Sequence, residues 1–344
     1  LEAEEEILLN VNEMAEGYDY YHVTGLNISP DNRLMAYGVD TLSRRVYMIR
    51  IRDLETGELL PDMIENTTGG SVWANDNRTL FYTGKNKVTL LSERILRHTL
   101  GSPAGNDVEV YREEDPSYYI GVYKSKSNKY IIIWNNSTLS SDYHLLPADQ
   151  PEGRFRQFTP REEVHEYEIE HDQGIFYIVT NWKANNFRLM KTPEDQTSRE
   201  NWEEVIPHRE DVLLQGIEVF RDYLAISERE NGLTRIRVRD QRSGEEHDLD
   251  FGEPAYMAYI STNPEMDTPL LRYGYSSLTT PFSTYDYHMG ERTRTLKKRQ
   301  EVVGGHDPEA YTTERLYATA RDGKKVPISI VYRKGFPKDG SGPL

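Results

Sequence analysis

Ser29-Pro30-Asp31-Asn32-Arg33-Leu34-Met35-Ala36-Tyr37 joins a tight polar turn directly to a short apolar run, and the chain repeats that phrase five more times. The later turns centre on Asp76, Asn128, Asp172, Asp222 and Asn263, so successive turns are 45, 52, 44, 50 and 41 residues apart. The runs that follow are residues 34–37, 80–82, 130–133, 175–178, 223–226 and 270–273. Runs so apolar and so short read as strands buried on both faces. Further on come alternating segments, such as 46–51, 187–190 and 236–239, which suit strands with one wet face. Outer pieces follow turns at Gly57, Gly244 and Gly290.

A period of roughly 40–50 residues built from four short strands is the pattern of a β-propeller blade. The uneven spacing puts insertions in loops, notably the polar stretch 192–201. Before the first unit, Glu6-Ile7-Leu8-Leu9-Asn10-Val11 reads as the outer strand of an earlier blade whose remainder would precede Leu1. The expectation is therefore an all-β, seven-bladed β-propeller: an incomplete first blade over 1–16, then full blades over 17–305. A β-sandwich is the weaker reading, because one rarely runs to ~280 residues in a single piece.

Composition narrows the function. Lys+Arg 41 against Asp+Glu 57 gives a net charge of −16. Binding phosphates needs a basic face, so a nucleic-acid partner is not expected, whereas basic ligands would be attracted. No run approaches the ~18 apolar residues of a membrane span. With no Cys there is neither a disulfide framework nor a thiolate metal site, and the compartment stays open.

Residues 311–332 read YTTERLYATARDGKKVPISIVY. Two alternating runs, 315–320 and 327–332, flank Asp322-Gly323, a strong hairpin signal. With no sheet to join, such a hairpin is expected to be disordered or docked against a neighbour. The stretch resembles the passage from propeller to α/β-hydrolase domain in the prolyl oligopeptidase family of serine peptidases, with Glu314, Asp322-Gly323 and Val326-Pro327 as hallmarks. Residues 6–15 (EILLNVNEMA), 42–45 (LSRR), 72–76 (VWAND), 116–119 (PSYY), 165–167 (HEY), 232–234 (GLT) and 272–281 (RYGYSSLTTP) fall in that family's order, nearest to its oligopeptidase B branch.

The resemblance implies that 306–344 starts the first strands of an α/β-hydrolase domain, with the Ser, Asp and His of the triad downstream of Leu344. No residue of this chain is then catalytic. It also implies cleavage of short peptides after Lys or Arg, a propeller that covers the site and limits substrate size, a hinge near Gly304-Gly305, and no cofactor. The implied partners are short basic peptides and the chain's own catalytic domain; no membrane is among them.

Several motifs compete with that reading. Gly274-Tyr275-Ser276 begins like a nucleophile elbow, but Ser277-Leu278 replaces its final x-G and no helix follows. His165 and His171 flank Glu166, Glu168 and Glu170; strand periodicity puts the glutamates on one face and the histidines on the other, against a metal site. Gly304-Gly305-His306 lacks the Lys-Ser/Thr of a phosphate loop. Lys297-Lys298-Arg299 reads as a solvated loop. Arg44 and Arg45 read either as ordinary strand-end charges or, at the start of an inner strand, as groups facing an axial or inter-domain cavity and pairing with carboxylates there. A non-enzymatic propeller scaffold is the rival class. A propeller with its own axial catalytic pocket needs acids or His on its inner strands, which read as apolar.

Overall fold

The computed structural model describes residues 6–342. The chain divides into two compact units, residues 1–168 with 195–201, and residues 169–194 with 202–344.

In the first unit one seven-stranded sheet runs in chain order: β1 (His22–Ile28), β2 (Leu34–Asp40), β3 (Tyr47–Asp53), β4 (Leu59–Trp73), β5 (Thr79–Lys85), β6 (Ser92–Thr99) and β7 (Val108–Arg112). It is two blades sharing a strand. The first half of β4 pairs with β3 (Arg50 opposite Met63), and its second half pairs with β5 (Trp73 opposite Leu80). A third blade is β8 (Tyr119–Lys124), β9 (Tyr130–Asn136), β10 (Ser141–Pro147) and β11 (Arg156–Gln157).

Strand β12 (Tyr167–Asp172) carries the chain from the first unit into the second and heads a blade with β13 (Ile175–Thr180), β14 (Arg188–Pro193) and β15 (Glu203–Ile206). Two more blades follow. One is β16 (Val212–Val219), β17 (Tyr223–Glu230), β18 (Leu233–Asp240) and β19 (Glu246–Asp248). The other is β20 (Tyr256–Ile260), β21 (Leu270–Ser277), β22 (Ser283–His288) and β23 (Thr293–Arg299). A separate hairpin, β24 (Tyr311–Thr319) with β25 (Lys325–Arg333), ends the described chain.

The repeated turn forms because its side chains close it locally. Asp31 accepts the Arg33 N–H and the Ser29 hydroxyl, while Asn32 takes a positive φ of 61° that asparagine tolerates. Asp76 repeats the arrangement with the N–H groups of Arg78 and Thr79. The apolar run after each turn is the second strand of its blade; Ile131, Ile132 and Ile133 are 0% exposed as expected, but in 270–273 only Leu271 and Tyr273 are buried, while Leu270 and Arg272 face solvent. Ile49, Ile51, Ile64, Trp73 and Leu80 fill the space between the first two blades. Val72, Phe81, Ile131 and Leu146 fill the next. In the second unit Leu189, Leu224 and Ile226 do the same, then Ile236, Val238, Leu271 and Tyr273. Burial of each such side chain contributes about 1.5–3 kcal/mol.

Three expectations are corrected. The strand expected over 6–11 is absent: residues 6–10 are irregular, and Val11–Met14 is a helical turn started by Asn10, which accepts the Glu13 N–H. No strand among the described residues pairs with this segment, and the Arg52 guanidinium donates to the Leu8 carbonyl instead. The described residues thus hold six blades, and residues 1–5 of the expected remnant lie outside them. Lys297, Lys298 and Arg299 are solvated as expected, but on the outermost strand β23 rather than in a loop. The third correction concerns the strands read as inner. The first strand of each blade precedes the repeated turn instead of following it, and these first strands mix Gly, Tyr, Lys and carboxylates with apolar residues.

Candidate functional site

In the first unit β1, the second half of β4, and β8 each present one edge with no ladder partner among the described residues. Together they wall an open groove of about 610 Å³. Close approach of these strands requires glycine. Gly69, at φ 91°, would place a Cβ 2.6 Å from Thr24 Cγ2 and 2.8 Å from Tyr47 Cγ. Gly25 sits in a bulge of β1 where a Cβ would overlap the Gly69 carbonyl. The Trp73 indole N–H ties β4 to β1 through the Asn27 carbonyl at 3.1 Å.

Every residue of β8, Tyr119 to Lys124, lines the groove. The Trp134 ring lies against the Gly121 backbone, where a Cβ would stand 2.6 Å from the indole. The buried Ser71 hydroxyl, also on the groove wall, has no hydrogen-bond partner among the described residues. Partial burial holds the Lys124 ammonium below its ordinary pKa, while Asp149 and Asp76 act the other way. Among the described residues the Lys124 ammonium has no ion-pair or hydrogen-bond partner.

Arg44 and Arg45 lie in the loop between β2 and β3, so the strand they precede is the third of its blade rather than its first. Asp40 shapes the loop by accepting the N–H groups of Leu42 and Arg45, and the Arg45 carbonyl accepts Lys85 Nζ at 2.6 Å. Arg44 lines a pocket of about 210 Å³ beside Lys85 and Lys87. Neither guanidinium pairs with a carboxylate among the described residues.

In the second unit the terminal hairpin meets loops of this same class, between second and third strands. The Arg315 guanidinium donates to the Asn231 carbonyl at the β17–β18 turn, and the His306 imidazole bonds the Thr279 carbonyl, between β21 and β22, at 2.7 Å. Gly304 and Gly305, both near φ 90°, lie between blade and hairpin with open space where a Cβ would stand.

The competing motifs do not assemble. Ser276 sits within β21 opposite Met257, in continuous strand rather than at a sharp turn. His165 is buried, stacked on Tyr167 and bonded to Arg199; burial and that cation push its pKa down to about 4. His171 pairs with Glu194 at 2.9 Å. Among the described residues no cluster of His, Asp or Glu suits a metal ion, and no helix is long and apolar enough to cross a membrane.

The sequence profile of the prolyl oligopeptidase N-terminal β-propeller domain matches residues 1–300. The dipeptidyl aminopeptidase BI of Pseudoxanthomonas mexicana is 44% identical over 99% of this chain and 47% of its own length. Protease 2 of Moraxella lacunata is 33% identical over 100% of this chain and 49% of its own. The solved oligopeptidase B of Leishmania major superposes with a TM-score of 0.87 at 30% identity, covering 97% of this chain and 48% of that one. The chain therefore spans about half the length of the relatives it matches.

Proposed function

We propose, from the premise that this chain belongs to the prolyl oligopeptidase family as its N-terminal β-propeller domain, that it is the size-selecting gate of a serine peptidase. The observation that carries the reading is the junction. Propeller similarity ends at residue 300, and residues 311–333 then form a two-stranded sheet lodged on the loops of the last two blades. We read that sheet as the first strands of an α/β-hydrolase domain, which would contribute the Ser, His and Asp for acyl transfer. A scaffold with no catalytic partner has no use for such a hairpin.

On this reading, loops joining second to third strands face the catalytic domain. Arg44 and Arg45, on a loop of that class and without carboxylate partners among the described residues, would pair with acidic groups of that domain. Gly304-Gly305 is the hinge at which gate and catalyst part to admit peptides. The net charge of −16 favours approach of basic peptides, in keeping with cleavage after Lys or Arg.

The test uses the full-length protein. A short Arg-containing peptide should be cleaved, and the same sequence placed inside a rigid folded domain should not; equal kcat/KM for the two would refute the gate. Absence of labelling by a fluorophosphonate serine probe would favour the scaffold. One alternative specificity has an observation behind it: identity is higher to the dipeptidyl aminopeptidase than to protease 2. Blocking the substrate's amino terminus separates the two, because release of N-terminal dipeptides is lost and internal cleavage after Arg is not.

A further inference from the structure

The groove walled by β1, β4 and β8 has three properties that belong together. Its walls are strand edges, and an edge with free N–H and C=O groups pairs readily with an added extended chain. Its surface alternates aromatic rings, at Tyr119, Tyr123 and Trp134, with small residues that leave the backbone reachable, at Gly121 and Ser71. Its end holds a cation, Lys124, that has no counter-ion among the described residues. Of the two acids that influence Lys124, Asp76 is occupied by Arg78 and Thr79, and Asp149 accepts Asn75 Nδ2 at 2.8 Å. Neither carboxylate reaches the ammonium.

We propose that this groove binds a short extended peptide by its C-terminal end. The peptide lies along the free edge of β8 and its terminal α-carboxylate meets Lys124. Because Lys124 is the last residue of β8, a peptide whose carboxylate lies there runs parallel to the strand. Six strand residues span about 20 Å, which suits a peptide of five or six residues. The rings of Tyr119 and Tyr123 contact peptide side chains without demanding one sequence. The carboxylate is the recognised group because a partly desolvated ammonium interacts more strongly with an anion than a fully hydrated one does. The groove would thus hold the trailing half of a peptide by its end rather than by its sequence.

The choice of a peptide rests on the peptidase reading, but the test reads binding and not turnover, so the two can fail separately. An N-terminally dansylated hexapeptide, as free acid and as C-terminal amide, is titrated with this chain at low salt and followed by fluorescence anisotropy. The free acid should bind at least about tenfold more tightly than the amide. Lys124→Gln should abolish that preference, and Lys124→Arg should keep it. Circular dichroism checks each variant; if Lys124→Gln does not fold, the acid–amide comparison on the unmodified chain decides. Equal affinities for acid and amide, no binding of either up to millimolar protein, or a preference that survives in folded Lys124→Gln would each overturn the proposal.

Discussion

Replacing His98 by Leu should destabilise the first unit more than any surface change in it. The imidazole is 0% exposed and lies between two carboxylates, with Nδ1 2.7 Å from Asp107 and Nε2 3.0 Å from Asp62. Burial alone would push its pKa down, but hydrogen bonds and charge from Asp107 and Asp62 outweigh burial and hold it above the ordinary histidine value. When protonated, the side chain ties β4 and β6 to the segment leading into β7 through both carboxylates. Leucine leaves two buried carboxylates whose remaining partners among the described residues are the Gly101 N–H on Asp62 and the Tyr82 hydroxyl on Asp107. Removing one partner of a buried ion pair costs about 3–5 kcal/mol. At roughly 2–4 °C per kcal/mol for a unit of this size, the melting temperature should fall by roughly 6–20 °C. Adding Asp62→Asn and Asp107→Asn should recover at least half of the loss, because neutral amides need no counter-charge. The raised pKa fixes the sign with pH: the contribution is complete below about 6.5 and is lost as pH rises through the folded value. The gap between wild type and His98→Leu should therefore narrow from pH 6 to pH 9. A shift below about 2 °C by calorimetry, or a gap that widens with pH, would refute the reasoning.

His165 should behave in the opposite sense. Its pKa is pushed down to about 4, so its contribution is present above about 6.5 and lost as pH falls from there; His165→Gln should flatten the acid limb of stability between pH 6.5 and 4. Gly69→Ala must move Thr24 and Tyr47 and bear a strained φ, a loss of about 1–3 kcal/mol readable by urea denaturation. Hydrogen exchange should be faster across 313–331 than in β5, β9 or β17, because most side chains of the hairpin are exposed and one two-stranded sheet is marginal alone. Slow exchange there in a monomer would place the hairpin in the propeller's own cooperative unit. This chain alone should turn over no chromogenic Arg ester and leave Ser276 unlabelled by a fluorophosphonate, read by mass spectrometry.

The blades were legible where side chains act on their own backbone. Asp31 and Asp76 close turns within three residues, and the apolar runs that follow carry their burial in their composition. The Asp322-Gly323 hairpin formed as predicted for the same local reason, with Gly323 at φ 83°. The first strands of the blades were not legible, because what surrounds Gly25 or Gly121 is supplied by Gly69 and Trp134, distant in sequence or across the sheet. β23 carries no burial signal at all; pairing with β22 alone makes it a strand. Residues 6–11 show the converse, an apolar pattern with no partner to pair with. Lys124 stands out only once the positions of Asp76 and Asp149 are known.

Strand β4 runs fifteen residues without interruption and belongs to two blades, passing from β3 to β5 near Thr67. Elsewhere in the first unit a loop separates one blade from the next, and loops tolerate cutting, lengthening and exchange. Here there is no seam. A break at Thr67 would sever two ladders at once, so residues 22–112 form the smallest portion of this end of the chain that can be transplanted, permuted or recombined without leaving half a sheet behind.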